Sequence, residues 1–168
     1  MESTGFQQEY IRDGFDWISF VSNLQTVFES NVRRVHFMST ISALSIPNLD
    51  DYLEWTKIWK HEFGMDRSAF TLNILRFPSF QSPAILPSDI RVQCANDIEK
   101  WIDTQWNKTY LHEMEINQIQ RLADYLRTVE LDNQTQLQSD FMNFFQQYDL
   151  RRNKNFAETF PTLNISHA

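Results

Sequence analysis

Two short apolar runs, held apart by one segment of helix length, constrain this chain more than any other feature. The first, residues 32–41, is β-branched and alternating and passes into the hydroxyl-rich run 39–45, the pattern of a strand followed by a loop. The second, residues 70–77, carries Asn73 and Arg76 in an otherwise apolar stretch and breaks at Pro78, as a buried strand ending at a polar tip does. Between them Pro47, Asn48, Asp50 and Asp51 form a helix opening, with proline early, a capping asparagine at hand and acidic groups where the helix dipole favours them. The helix predicted from them runs through Leu53 and Trp59 to about Phe63, and Gly64 supplies its stop. Strand, helix and strand at this spacing predict a parallel βαβ unit.

Helical spacing dominates the rest. Behind a polar lead-in, Asp16 precedes Trp17, Ile18, Phe20, Val21, Leu24, Val27 and Phe28, which share one helical face. After the loop 78–86, Pro87, Ser88 and Asp89 open a helix carrying Ile90, Cys94, Ile98, Trp101 and Ile102. Leu111, Met114, Leu122, Tyr125, Leu126 and Val129 make a further stripe, interrupted by Gln118, and Leu137, Phe141, Phe144, Phe145 and Tyr148 make the last. The tail 151–161 loses the period and is expected to pack back through Phe156 and Phe160. The fold class is therefore α/β and predominantly helical: a two-stranded parallel βαβ unit followed by three helices. No repeat, low-complexity tract or long linker marks a boundary, so one domain is expected over residues 1–168, with the βαβ segment and its preceding helix in 1–86 and a helical cap in 87–168.

Two parallel strands seldom make a complete sheet, because each needs neighbours and both faces are normally covered. Alternation places Val35, Phe37, Leu72 and Ile74 under the helices and leaves His36, Met38, Thr40, Asn73 and Leu75 on the opposite face. That second face is mixed and partly polar, a composition that fits a ligand-lined barrel interior, a solvated sheet or a partner's surface equally.

Charge and cysteine content exclude several functions. A net charge of −7 and a pI near 5.0 argue against sequence-independent binding to nucleic acid or to anionic lipid. Cys94 is the only cysteine, so neither an intramolecular disulfide nor a multi-thiolate metal site can be built from the chain. The first residues lack the order of a secretory signal and no apolar run reaches membrane-spanning length; the expected location is cytoplasmic.

Few residues invite chemistry. His36, His61, His112 and His167 are scattered, with no helical metal pair among them, so no metal ligand is expected. His112 with Glu113 and Glu115 reads as a solvated helix end, and Asp50, Asp51 and Glu54 as acidic residues of a helix start. Ser39, Thr40 and Ser42 offer hydroxyls to a ribose or a carboxylate, or serve as turn formers. Arg76 must find a partner or reach solvent, through anion recognition or, more commonly, a structural ion pair. Arg151, Arg152 and Lys154 read as a positive helix end and Cys94 as a core residue. No Ser or Cys has a recognisable base beside it, so no catalytic residue is named.

Three segments carry a more specific likeness. Residues 40–46, residues 73–78 with the later Leu86 and Pro87, and residues 148–156 continuing to Phe160 and Pro161 resemble, in order and rough spacing, the carboxyl-terminal half of the radical S-adenosylmethionine proteins called twitch-domain-containing. The resemblance runs from about Tyr10 to Pro161. It implies a partial barrel of parallel strands, with the chain supplying the last part of it and the helices beyond Pro87 capping its end. Members of that family hold a [4Fe-4S] cluster on a C-x-x-x-C-x-x-C motif and cleave S-adenosylmethionine; this chain has no such motif, so it binds neither cofactor by itself and is expected to be inactive alone. A missing amino-terminal half carrying the cluster is the implied partner. By location at the barrel mouth, Thr40, Ser42, Asn73 and Arg76 are the implied substrate- and cofactor-side contacts. The alternative is a stand-alone helical module that docks another protein through its aromatic stripes. A module closes its own core, whereas a barrel remnant leaves strand edges and a mixed face open.

Overall fold

The computed structural model describes residues 1–163 and 165, which leaves His167 outside the described residues. Helix α1 (Gly5–Ile11) precedes α2 (Trp17–Glu29), whose Asp16 cap accepts a hydrogen bond from Ser19 N at 2.7 Å. Strand β1 (Val35–Ile41) leads through a 3-10 turn that holds Pro47 into α3 (Leu49–Phe63). Gly64 ends α3 at φ 101°, a conformation that glycine adopts without strain. Strand β2 (Ser68–Ile74) follows, and the strands pair in parallel from Val35 opposite Ser68 to Ile41 opposite Ile74. Helices α4 (Ser88–Ile102), α5 (Gln105–Thr109), α6 (Glu113–Thr128), α7 (Gln134–Arg152) and α8 (Phe156–Thr159) complete the described chain.

The βαβ unit and the long helices match the sequence expectation, with three short helices added. Helix α1 lies in the stretch that reads as a polar lead-in, α5 in a connection, and α8 in the aperiodic tail. Each has seven residues or fewer, too few turns to show a helical period and too few to be stable without tertiary contacts. Both strands also shift. Strand β1 begins at Val35 rather than Val32 because β2 offers nothing earlier than Ser68 to pair with. Strand β2 starts at Ser68 and stops at Ile74 rather than Phe77, since β1 runs out at Ile41; one further bond, Leu75 N to Ile41 O at 2.8 Å, closes the ladder before Pro78, which has no N–H to offer.

Two aromatic clusters hold the layers together. On the helical side of the sheet Phe28 of α2 stacks on Trp59 and Phe63 of α3 at 5.0 and 4.9 Å, and Trp55 meets Phe37 of β1 at 5.3 Å. The second cluster joins the two ends of the chain: Tyr10 of α1 packs on Phe145, Tyr148, Phe156 and Phe160, and its hydroxyl donates to Asp149 Oδ1 at 2.7 Å. Burial, aided by Asp149, pushes the Tyr10 hydroxyl far above its ordinary value. Asp149 also accepts Phe156 N at 2.8 Å, so one carboxylate fixes α1 and α8 to α7. The tail thus returns through Phe156 and Phe160 as the sequence predicts. Arg151 and Arg152 close α7 as a positive end, and Arg152 and Lys154 pair with Asp13 at 2.6 and 3.4 Å.

Candidate functional site

Register divides the sheet into a covered face and an open one. Val35, Phe37, Ser39 and Ile41 share a face with Ser68, Phe70, Leu72 and Ile74, and α3 packs over it with α2 against α3. The polar Ser39 is accommodated there by Tyr52 of α3, whose hydroxyl lies 2.5 Å from Ser39 Oγ. On the other face His36, Met38 and Thr40 pair with Ala69, Thr71 and Asn73. His36 Nε2 lies 2.6 Å from Thr71 Oγ1, and Met38 is 70% exposed. Alternation in the sequence assigns these faces correctly; only Leu75, expected on the open face, lies beyond the strand and is half-buried.

The two edges differ more than the two faces. In a parallel pair each strand turns the N–H and C=O of alternate residues toward its neighbour. Since Leu75 N donates to Ile41 O, the odd-numbered residues of both strands bond across the pair and the even-numbered ones point outward. On β2 the outward amides are taken by α6: Phe70 N donates to Glu115 Oε1 at 3.0 Å and Leu72 N to Gln118 Oε1 at 2.8 Å. On β1 the outward groups belong to His36, Met38 and Thr40. Among the described residues only Met38 O finds a partner, the Met1 amino group at 3.3 Å. The sheet is closed by side chains on one edge and open on the other.

Glu115 overturns one sequence expectation. Rather than lying on a solvated helix end with Glu113, it is 2% exposed and accepts from Lys60 Nζ, Phe70 N and His112 N, the last at 2.8 Å. Lys60 is itself fully buried, with its ammonium 5.4 Å from the Phe70 ring. Burial drives the Lys60 pKa down while Glu115 pulls it back up, so the ion pair is what keeps a charge at this depth. The sequence signal was present: Glu115 and Gln118 are two acceptors three residues apart within an apolar stripe, the spacing at which a helix can serve one strand edge.

The four sequence-predicted contact residues separate. Thr40 and Asn73 are register partners on the open face at the carboxyl ends of the strands. Ser42 is only 8% exposed and belongs to a turn, its N–H donating to Ser45 Oγ at 2.8 Å and its carbonyl accepting Ser45 N at 3.1 Å. Arg76 follows β2 and is exposed, with no ion pair or hydrogen bond among the described residues; the structural ion pair that is the commoner fate of such an arginine is not made. Phe77 beside it is 87% exposed. An open cleft of about 600 Å³ lies elsewhere, lined by Tyr10, Asp51, Lys154 and Glu158, and none of the four residues borders it.

Neither the donor set nor the helices add a further centre. A cluster of the kind the resemblance implies needs several thiolates; Cys94 is buried on α4, and burial pushes its thiol up to about 11. The residues present do not fit that group. Among the described residues no three His, Cys, Asp or Glu side chains are grouped to hold a metal ion, and no helix is long and apolar enough to cross a membrane. Comparisons with protein-family models, with curated proteins and with solved structures return no match to this chain.

Proposed function

We propose that the chain is the carboxyl-terminal portion of a radical S-adenosylmethionine protein of the twitch-domain-containing type, supplying two strands of barrel wall and a helical cap but no cluster. The observation that carries this reading is the one-sided sheet. Native domains pair, cover or blunt the edges of their sheets; here α6 seals the edge of β2, and among the described residues the outward N–H groups of His36, Met38 and Thr40 on the edge of β1 have no partner. In this reading further parallel strands continue from β1, the open face becomes barrel interior, and Thr40 and Asn73 stand at its carboxyl mouth, where ligands of parallel barrels bind. Arg76, unpaired beside them, is suited to an anionic group, and Ser42 supports the β1 loop from beneath.

No step of radical chemistry is assigned to these residues; their part is wall, positioning and exclusion of water. The test is reconstitution with an amino-terminal polypeptide of the same family that carries the C-x-x-x-C-x-x-C motif. A one-to-one complex whose iron–sulfur absorbance depends on that polypeptide supports the reading. Failure of the two to associate, or cluster absorbance from this chain alone, refutes it.

A further inference from the structure

The open cleft of about 600 Å³ lies where α1, the first turn of α3 and α8 meet, a size and setting in which small molecules bind. Its cation is already committed. Lys154 Nζ donates to Glu9 O at 2.5 Å, lies 3.4 Å from Asp13 Oδ1 and sits 5.7 Å from the ring centres of both Tyr10 and Tyr148. Its anions are not committed: Asp51 of α3 and Glu158 of α8 are exposed, and their carboxylates make no hydrogen bond or ion pair among the described residues. Burial and the neighbouring Asp50 hold the Asp51 carboxyl above its ordinary range, a load that an incoming cation relieves. Phe6 of α1 adds a ring that is 84% exposed and touches no other ring among the described residues. An exposed carboxylate or an exposed phenyl says little alone; here both kinds of group line one concavity of ligand size.

We propose that this cleft binds a small organic amine, its ammonium taken by the Asp51 and Glu158 carboxylates and its apolar body laid on the Phe6 ring. The lining selects for that chemistry. Two free carboxylates repel an anionic ligand, and no three His, Cys, Asp or Glu side chains among the described residues are grouped to hold a metal ion. An ammonium presents three donors: the carboxylates accept two, and the Thr159 hydroxyl, which gives its own proton to Asn155 O at 2.8 Å, keeps lone pairs for the third. An exposed ring adds attraction for a cation, or apolar contact for the body that carries it. The inference rests on the cleft and not on the radical-enzyme reading.

Phenethylamine is the probe, and hydrocinnamate, which carries the same ring with the opposite charge, is its control. Titration of the protein with phenethylamine, followed by NMR, is expected to saturate with a Kd on the order of millimolar, the scale for a ligand of about nine non-hydrogen atoms. The amides that shift should be those of the cleft, Phe6, Gln7, Asn155 and Thr159 among them. Hydrocinnamate is expected to bind at least about tenfold more weakly. The double variant Asp51→Asn with Glu158→Gln should weaken phenethylamine about tenfold, the scale of two exposed ion pairs, and Phe6→Ala about threefold. Should the double variant not fold, Phe6→Ala carries the test, since so exposed a ring contributes little to the core. Absence of saturation, equal binding of hydrocinnamate, unchanged affinity in a folded variant, or shifts centred outside the cleft overturns the proposal.

Discussion

Removing the Glu115 carboxylate should be among the most damaging single changes in this chain. In Glu115→Leu the fully buried Lys60 ammonium loses its counter-charge, and Phe70 N and His112 N lose their acceptor. Breaking a buried pair from one side costs about 3–5 kcal/mol, chiefly because the orphaned charge stays in a poor solvent. The stranded amides act in the same direction, though their costs overlap and are not summed. Against a total stability of about 5–15 kcal/mol the loss is a large fraction, and for a chain of this size it lowers the melting temperature by about 6–20 °C. Urea unfolding followed by far-ultraviolet circular dichroism measures it. The double change Lys60→Met with Glu115→Leu removes the orphaned ammonium and should recover about 1–4 kcal/mol relative to Glu115→Leu alone. A cost below about 1 kcal/mol for Glu115→Leu, or a double variant no better than that single one, would refute the claim that a buried charge pair locks α3, α6 and β2 together.

Three further outcomes are expected. Gln118→Ala should cost about 1 kcal/mol and speed amide exchange at Leu72, leaving Phe70 protected by Glu115; equal loss at both amides would mean that α6 covers the edge as a body and not through these two side chains. Asp149→Ala removes the acceptor of Tyr10 Oη and Phe156 N and should cost about 2 kcal/mol, with faster exchange at Phe156 and a weaker near-ultraviolet aromatic signal; an unchanged near-ultraviolet spectrum would count against the end-to-end aromatic cluster. Burial raises the Cys94 thiol from 9.0 to about 11, so its thiolate population at pH 8 is about a hundredfold below that of a free cysteine and iodoacetamide should react at least that much more slowly. Because the folded value is the higher one, this contribution to stability is complete below pH 9.0 and is lost as pH rises toward 11; alkylation at the free-cysteine rate would show that α4 does not bury it.

Local pattern exposed the strands, the crossover helix and the faces of the sheet. The alternation of Val35, Phe37, Leu72 and Ile74 against His36, Met38, Thr40 and Asn73 carries enough information to predict the faces, and Gly64 enough to predict a helix stop. What stayed hidden depends on distant partners. Glu115 looks solvated until α3 places Lys60, and β2 places Phe70 N, against it; Gln118 looks like a flaw in an apolar stripe until it meets Leu72 N. The short helices α1 and α8 arise from the aromatic cluster around Tyr10, a contact between residues 139 positions apart in the chain. At the candidate site, Thr40 and Asn73 could be paired by counting register, whereas the burial of Ser42 and the unpaired state of Arg76 follow from a turn and a loop with no periodic signature.

Amide exchange at the two sheet edges, followed by NMR before and after mixing with a cluster-bearing amino-terminal polypeptide, addresses the central claim most directly. In the isolated chain Phe70 and Leu72 should be protected while His36 and Thr40 exchange quickly, and mixing should slow His36 and Thr40 as a new strand pairs with β1. His36 and Thr40 already protected in the isolated chain, or still fast in a stoichiometric complex, would contradict it.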